Sequence, residues 1–148
     1  LDFPSKHFNI IVSFDLMEHV DRPLTTIEQC NNILKDGGIL LISVPNLRSF
    51  GRRLKRQGWF GYRDRTHRSL FSRNEWIKLL KKGGFEIVDI LYDGLWDSPY
   101  LPMIPRIIQH LVFKFPSTSL FFLGFRFPEK LGEEMYLISV KKKHLKSR

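Results

Sequence analysis

Apolar residues along the chain fall into short runs separated by longer amphipathic segments. The first run, Phe8 to Ser13, is rich in β-branched residues and predicts a strand that is covered on both faces. Runs from Ile39 to Val44, from Phe85 to Tyr92 and from Met135 to Val140 have the same character. Helical segments separate the first three runs, and the last two follow each other without a clear helix. The pattern therefore predicts an α/β domain with one antiparallel strand at its end.

The segment between the first two strands has apolar residues at helical spacing. Asp21 is expected to cap this helix, with Pro23 in its first turn, where backbone donors have no partner within the helix. Gly37 and Gly38 are expected to end it, because glycine readily adopts the left-handed conformation found at helix ends.

A second helix is predicted from a local signal at its amino end. Ser72 and Glu75 have the spacing of a capping box, and Phe71 is placed to pack against Trp76. Gly83, with the glycine that follows it, is expected to end this helix.

Two segments lack a clear period. Residues 45–71 are basic and aromatic and are expected to form a loop, which at this length is usually functional or disordered. Residues 93–131 are interrupted by five prolines, and one short amphipathic helix is predicted there, between Ile104 and Val112. The basic residues Lys141, Lys142 and Lys143 are expected to form a tail after the last strand.

Composition indicates one globular domain in a reducing compartment. The chain has 148 residues, 43% of them hydrophobic, which suffices for a buried core. Cys30 is the single cysteine and cannot form an internal disulfide. No apolar run is long enough to span a membrane, so we expect a cytoplasmic protein, with peripheral membrane contact left open. The chain reaches its first strand at once, as the later part of a longer protein would.

The net charge of +9 is concentrated in one segment. Between Arg48 and Arg73 there are nine arginines and lysines against the single acidic residue Asp64. Phe50, Trp59, Phe60 and Tyr62 are interleaved with them. Such a segment can bind nucleic acid, an anionic membrane or a phosphorylated acceptor, or it can be a solvated surface loop.

Five short motifs, in this order, resemble the carboxyl-terminal half of class I S-adenosylmethionine-dependent methyltransferases, especially the ubiquinone-pathway type. The motifs are Leu1-Asp2-Phe3-Pro4, Ser13-Phe14-Asp15-Leu16-Met17-Glu18-His19-Val20, Lys35-Asp36-Gly37-Gly38 with Ser43-Val44-Pro45-Asn46, Thr66-His67-Arg68, and Gly83-Gly84-Phe85.

The resemblance implies a fold and also an incomplete site. Residues 1–148 would form strands 4 to 7 of a three-layer, Rossmann-like methyltransferase sheet, with the last strand antiparallel and a substrate-specific aromatic insertion at about 95–131. The family's glycine-rich cofactor loop and first three strands have no counterpart here. The chain alone is therefore expected to be inactive, and a partner or a missing segment would complete the sheet. The bare edge of the first strand would favour aggregation.

The resemblance also implies which residues border the cofactor. S-adenosylmethionine would contact residues at the end of the first strand and in the following turn: Ser13, Phe14, Asp15, Glu18 and His19. Asp15, Glu18 and His19 also resemble the metal-binding trio of ubiquinone-pathway O-methyltransferases. In relatives without a metal the same residues line the pocket, and no metal is assigned here.

Catalysis is expected to involve His67, because an imidazole is the side chain best suited to deprotonate an acceptor hydroxyl as the methyl group is transferred. A purely structural role in the loop is the other reading. Asn46, Tyr62 and Thr66 are expected to contact the substrate.

The resulting expectation is methyl transfer from S-adenosylmethionine to a small or lipid-linked acceptor, most simply a hydroxyl. Ser13-Phe14-Asp15-Leu16 lacks the prolines typical of base amino-methyltransferases, which disfavours nucleic acid as the substrate. The alternative is a non-catalytic interaction module that binds an anionic membrane or nucleic acid through residues 48–73.

Overall fold

The computed structural model of the protein describes residues 3–142, so Leu1, Asp2 and Lys143 of the motifs above lie outside the described residues. Its strands are β1 (Phe8–Ser13), β2 (Leu34–Pro45), β3 (Phe85–Tyr92) and β4 (Glu134–Lys141). Its helices are α1 (Pro23–Ile33), α2 (Phe50–Lys55), α3 (Phe60–Arg63), α4 (Arg73–Lys82), α5 (Arg106–Gln109) and α6 (Phe115–Phe122). Short 3-10 turns cover Met17–His19 and Arg56–Gly58, and a π-helical turn, His110–Lys114, joins α5 to α6.

The four strands form one sheet in the order β1-β2-β4-β3. β2 is parallel to β1, and β4 runs antiparallel to both β2 and β3. β1, β2 and β3 are therefore parallel to one another, which confirms the predicted α/β fold and its antiparallel last strand. Within residues 3–142, β1 has a partner strand on one side only, and Ile10 and Val12 are half exposed.

The core lies between the sheet and the helices α1 and α4. Ile27 of α1 and Trp76 and Leu80 of α4 pack with alternate residues of the strands, such as Ile42 and Leu137. These side chains are at most 1% exposed. On the other face of the sheet, Phe121 of α6 packs against Tyr136 of β4 with ring centroids 5.1 Å apart. The sheet thus has a complete helical layer on one face and a partial one on the other.

The prediction for α4 is confirmed in detail. The Ser72 hydroxyl accepts a hydrogen bond from the Glu75 backbone N–H, and the Glu75 carboxylate accepts one from the Ser72 N–H. The rings of Phe71 and Trp76 lie 5.4 Å apart in an edge-to-face arrangement. The helix ends at Lys82, directly before Gly83.

Both ends of α1 differ from the prediction. Asp21 does not cap the helix, which begins at Pro23 without a side-chain cap. The helix ends at Ile33, before the glycines, because Leu34 is already extended and starts β2. Gly37 adopts a φ of 77° in a bulge of β2 opposite β1, where the register shifts.

Lys141 explains how α1 ends without a glycine. Its ammonium donates hydrogen bonds to the carbonyl oxygens of Asn31 and Leu34, at 2.6 and 2.9 Å. These carbonyls belong to the end of α1, where backbone acceptors lack partners within the helix. The expected basic tail therefore begins later than predicted, since Lys141 is a buried residue of β4, only 4% exposed.

Residues 45–71 are more ordered than the predicted loop. Ser49 caps α2 by accepting a hydrogen bond from the Arg52 N–H at 3.0 Å. The indole N–H of Trp59 donates to the Glu133 carboxylate at 2.8 Å, and both residues are fully buried. This long-range hydrogen bond therefore holds the segment between α2 and α3 against the residue that directly precedes β4.

The segment between β3 and β4 is closed at its base. The Glu134 N–H donates to the Asp93 carboxylate at 3.0 Å, and the Glu133 N–H donates to the carbonyl of Gly94. Residues 106–122 form one continuous helical stretch, longer than the predicted short helix. Within the described residues, no helix has the length and apolarity needed to cross a membrane.

Candidate functional site

A cavity of about 490 Å³ opens at the carboxyl edge of the parallel strands. Residues after β1, residues near α3, the loop after β3 and the first residue of β4 line it: Asp15, Glu18, His19, Phe60, Arg63, Asp64, His67, Trp96 and Glu134. Because β4 runs antiparallel, its amino end lies at the same edge as the carboxyl end of β2. This edge is where open α/β sheets bind ligands.

Asp15 is fixed at the end of β1 by Ser43 of β2. The Asp15 N–H donates to the Ser43 hydroxyl at 3.0 Å, and that hydroxyl donates to the Asp15 carboxylate at 2.9 Å. Asp15 has a φ of 48°, which is uncommon for a residue other than glycine. The hydrogen bonds to Ser43 hold this backbone in place and direct the carboxylate to the cavity.

Glu18 is almost fully buried, with 2% of its surface exposed. Its backbone carbonyl accepts hydrogen bonds from the N–H groups of Arg68 and Ser69, which ties the turn after β1 to the segment before α4. Its side-chain Oε2 has no hydrogen-bond partner among residues 3–142. Burial raises the pKa of the Glu18 carboxyl, and the nearby Asp15 charge raises it further.

His67 lines the cavity with a defined orientation. Its Nδ1 lies 2.7 Å from the carbonyl oxygen of Gly61, which can only accept a hydrogen bond. Nδ1 therefore carries the proton, and Nε2 is the basic nitrogen of the neutral ring. Nε2 lies 3.9 Å from the carboxylate of Asp64.

His19 has the same tautomer for a different reason. The Thr66 hydroxyl donates its one proton to the Asp64 carboxylate at 2.5 Å, so it accepts from Nδ1 of His19 at 2.9 Å. The hydrogen bonds from Thr66 also hold the pKa of Asp64 below its usual range. Asp64 is therefore an anion at neutral pH, and the neutral His19 also has a free Nε2.

Glu18, His19 and His67 come close enough to share a ligand. One ligand atom from each lies within 4.8 Å of the others, and two imidazoles with a carboxylate suit a divalent transition metal. This set differs from the trio that the sequence suggested, since His67 takes the place of Asp15. The contact between His19 and His67, 48 positions apart, has no signal in the sequence pattern.

Ser13 and Phe14 lie beside the cavity and not in its lining. Ser13 is buried at the end of β1, and its hydroxyl has no hydrogen-bond partner in the described part of the chain. Phe14 is 57% exposed and contacts Tyr136 edge to face. A buried hydroxyl and a buried Glu18 oxygen without partners, next to the Asp15 carboxylate, fit one wall of a site for a polar, positively charged cofactor.

Two of the three residues predicted to bind substrate have structural roles. The Asn46 amide donates to the carbonyls of Glu129 and Gly132, and its oxygen accepts from the Arg48 N–H. Three of its hydrogen-bonding positions are thus used in the interior, and a contact between Asn46 and substrate stays a prediction.

The Tyr62 hydroxyl accepts from Nε of Arg52 at 2.7 Å and lies outside the cavity lining, so its contact with substrate also stays a prediction. Thr66 is exposed, and it acts on the site through its hydrogen bonds to His19 and Asp64.

Sequence reasoning missed Phe60, Arg63, Trp96 and Glu134 in the cavity. Burial raises the pKa of Glu134 to about 9, and Asp93, which is buried beside it, has a pKa raised by burial to about 7. Glu134 is therefore uncharged at neutral pH. For Glu134 the sequence does offer a signal, because an acidic residue stands directly before the apolar run from Met135 to Val140.

Some basic residues of segment 48–73 are held by contacts with other parts of the protein. The Lys55 ammonium pairs with the Asp97 carboxylate at 2.6 Å, and the Arg63 guanidinium lies 3.5 Å from the same carboxylate. The Arg52 guanidinium donates to the Leu47 carbonyl at 2.6 Å. These contacts hold the segment against the loop after β3 and do not favour a module that binds nucleic acid through it.

Comparison with known proteins gives a consistent picture. Residues 1–90 match a family model described as a methyltransferase domain. Over 91 residues the chain is 28% identical to the "probable S-adenosylmethionine-dependent methyltransferase" of Mycolicibacterium smegmatis, covering 62% of this chain and 34% of that protein. Over 90 residues it is 30% identical to the ubiquinone biosynthesis O-methyltransferase of Dinoroseobacter shibae, covering 57% of this chain and 36% of that protein.

The fold is also found among solved structures. An S-adenosylmethionine-dependent methyltransferase from Thermotoga maritima superposes with a TM-score of 0.66 at 22% identity, covering 96% of this chain and 59% of that one. The chain spans about a third of the length of the two curated relatives.

Proposed function

Because this chain belongs to the class I S-adenosylmethionine-dependent methyltransferase family, we propose that it forms the acceptor side of a site for methyl transfer to a hydroxyl group. The observation that carries this proposal is the orientation of His67, whose Nδ1–H is held by Gly61 so that the basic Nε2 is left free at the cavity. The acceptor is a small molecule or a lipid-linked one.

Bound S-adenosylmethionine supplies a methyl group that is already activated on a sulfonium. The chain's own residues then have two tasks, to orient the acceptor and to receive its proton. Nε2 of His67 takes the hydroxyl proton as the acceptor oxygen gains the methyl group. The resulting imidazolium lies beside the ionised Asp64 carboxylate, which stabilises its charge.

Asp15, Glu18 and Ser13 are proposed to border the cofactor. Asp15 is preorganised by its two hydrogen bonds with Ser43, and the orphaned oxygens of Ser13 and Glu18 offer further polar contacts. The second wall, a glycine-rich loop in this family, is proposed to come from a segment outside this chain.

Calorimetry tests the claim about the second wall. This chain alone is expected to show no saturable binding of S-adenosylmethionine or S-adenosylhomocysteine. Saturable binding would overturn the claim that the cofactor site is incomplete.

Replacement of His67 tests the base. In the full-length protein, His67→Gln is expected to lower kcat about a hundredfold, the low end of general-base catalysis, without weakening cofactor binding. The pH dependence of kcat should lose its rising limb at the same time. His7→Gln, at an exposed position before β1, is the matched control and should leave the rate unchanged. A loss of less than about threefold in His67→Gln would remove His67 from the mechanism, because a general base contributes far more.

A further inference from the structure

The helical stretch from Arg106 to Phe122 carries most of its large apolar side chains on its exposed side. Ile107, Leu111 and Phe115 point outward and are 66%, 63% and 71% exposed. The side facing the protein holds Gln109 and Ser117, which are 1% and 6% exposed. A helix on the surface of a globular protein normally presents the opposite arrangement.

Gln109 fixes this orientation. Its side-chain oxygen accepts hydrogen bonds from the N–H groups of Tyr100 and Leu101, and its amide nitrogen donates to the carbonyls of Leu101 and Ile104. These four bonds use the full capacity of the amide group. If the helix were rotated so that its apolar side faced inward, the backbone groups of Tyr100, Leu101 and Ile104 would lose the amide that satisfies them. The hydrogen bonds of Gln109 therefore keep the apolar side facing outward.

Ser117 and Gly94 bring the helix close to the sheet on its inner side. Gly94 has a φ of 100°, and a Cβ at that position would lie 2.8 Å from Cβ of Ser117. Only a small inner residue and a glycine allow this approach. No large side chain fits at this contact. Phe113 and Phe121 pack inward on either side of it, against Tyr100 and Tyr136, and the other large apolar side chains lie mainly on the outer side.

The outer side forms a continuous apolar stripe. Ile104, Ile107, Leu111, Phe115 and Phe122 recur at spacings of three, four, four and seven residues, which places them along one side of the helix. At 1.5 Å per residue the helical part of the stripe, from Ile107 to Phe122, is about 22 Å long. Met103 and Leu123 extend it at the two ends, at 92% and 83% exposed.

Charge distinguishes among the partners that could cover this stripe. The sequence from Pro99 to Pro128 contains no aspartate or glutamate, and Arg106 and Lys114 are exposed. Arg126 is exposed too, and it pairs with Asp89 of β3. Two copies of such a surface would repel each other. A surface that combines an apolar stripe with basic residues is what an anionic bilayer binds, with the apolar side chains below the headgroups and the cations among them.

We propose that the helical stretch 104–123 docks on an anionic lipid bilayer, lying in the plane of the interface. The docking does not depend on the proposed activity. The same stretch does border the candidate site, since Lys114, Thr118 and Phe121 line a cavity of about 270 Å³ that shares Asp15 and Glu134 with the larger one. If the proposed function holds, a lipid-linked acceptor would reach the site from the bilayer along this side.

Vesicle flotation of this 148-residue chain tests the docking without any measurement of activity. The chain is expected to float with vesicles of phosphatidylcholine mixed with phosphatidylglycerol and to bind much less to phosphatidylcholine alone. A triple variant of the stripe should bind about tenfold more weakly or less, because three apolar side chains no longer enter the bilayer. Its substitutions are Ile107→Gln, Leu111→Gln and Phe115→Gln.

The matched control replaces three equally exposed apolar residues elsewhere, which are 57%, 51% and 65% exposed. Its substitutions are Ile10→Gln, Val12→Gln and Val88→Gln. It should bind as the unmodified chain does. Circular dichroism confirms that each variant is folded before binding is compared.

A second pair of variants separates the helix from the basic segment. Arg106→Glu with Lys114→Glu should abolish flotation with anionic vesicles, whereas Arg53→Glu with Arg65→Glu, both exposed in the basic segment, should reduce it less.

Equal binding by the stripe triple variant and the unmodified chain would overturn the proposal. The proposal would also be overturned if the unmodified chain stayed in the soluble fraction and formed a dimer that the stripe variant does not form. A second copy of the chain, and not a bilayer, would then cover this side.

Discussion

The imidazole rings of His19 and His67 lie 4.7 Å apart, inclined at 54°, with both Nδ1 atoms bonded away from each other. Two rings from distant parts of the chain thus lie side by side, and in each of them Nε2 is the nitrogen that takes no part in the hydrogen bond fixing the tautomer. The neighbouring groups set both tautomers. The carbonyl oxygen of Gly61 fixes that of His67, and the Thr66 hydroxyl, which donates its own proton to Asp64, fixes that of His19.

The tautomers can be observed directly. Above about pH 8, where an ordinary histidine is neutral, ¹⁵N NMR should show both rings protonated at Nδ1. Thr66→Ala should release His19 into a mixture of tautomers and leave His67 unchanged, because only His19 depends on that hydroxyl. Observation of the Nε2–H form for His67 would contradict the hydrogen bond to Gly61.

Replacement of Gly51 should test the packing of Glu133. A Cβ at position 51 would lie 1.9 Å from Oε1 of Glu133, whose carboxylate is held by Trp59 and Tyr100. Gly51→Ala is therefore expected to lower the free energy of unfolding by about 1 to 3 kcal/mol, the usual range for overpacking. Urea denaturation measures the change.

Gly58→Ala is the control for this prediction. The nearest atom to a Cβ there is Cβ of Lys55 at 3.9 Å, an ordinary contact. The free energy of unfolding should change by less than about 0.5 kcal/mol. Equal destabilisation by both substitutions would show that any added methyl group in this segment lowers stability, and that the contact with Glu133 is not the cause.

The cap of α4 offers a second stability test. Ser72→Ala removes the acceptor for the Glu75 N–H and should lower the free energy of unfolding by about 1 kcal/mol. Ser72→Asp should retain most of the stability, since aspartate is an equally good cap. Ser5→Ala, at an exposed turn, should have no measurable effect in the same urea titrations.

The buried carboxyls of Asp93 and Glu134 predict a pH dependence of stability. Their ordinary pKa values are 3.8 and 4.5, and burial raises them to about 7 and about 9 in the folded protein. Between these values the folded state binds more protons than the unfolded state, so the free energy of unfolding should fall as the pH rises from about 4 to about 9.

Glu134→Gln should flatten this fall, because glutamine needs no proton to remain neutral. Urea denaturation of the variant and the unmodified chain at about pH 6 and about pH 8.5 gives the comparison. Glu86→Gln, at an exposed position on β3, should keep the original slope. A slope unchanged in Glu134→Gln would mean that Glu134 is ionised when folded.

Local signals allowed much of this fold to be predicted from the sequence. The Ser72–Glu75 cap lies within four residues, and the apolar runs at β1 and β3 mark buried strands by composition alone. Contacts between distant positions account for the errors. Gly37 looked like a helix end, but Lys141, more than a hundred positions away, already satisfies the carbonyls at the end of α1.

The site shows the same division. Asp15, Glu18 and His19 stand out because they directly follow a strand, where ligands bind. Ser43, which orients Asp15, and Glu134, which enters from the antiparallel strand, have no local signal. Asn46 looked like a site residue from its position after β2, yet its amide is used to hold the carbonyls of Glu129 and Gly132.

The hydrogen bond from the Glu134 N–H to the Asp93 carboxylate joins the last residue before the excursion from β3 to the first residue after it. Everything between them leaves the sheet and returns to it at one point, so its length and sequence do not affect strand register. Evolution or an engineer could therefore exchange the outer part of this excursion, residues 101–128, and change what approaches the cavity. Asp97 and Glu133 would keep their contacts with Lys55 and Trp59, and the two histidines would stay where they are.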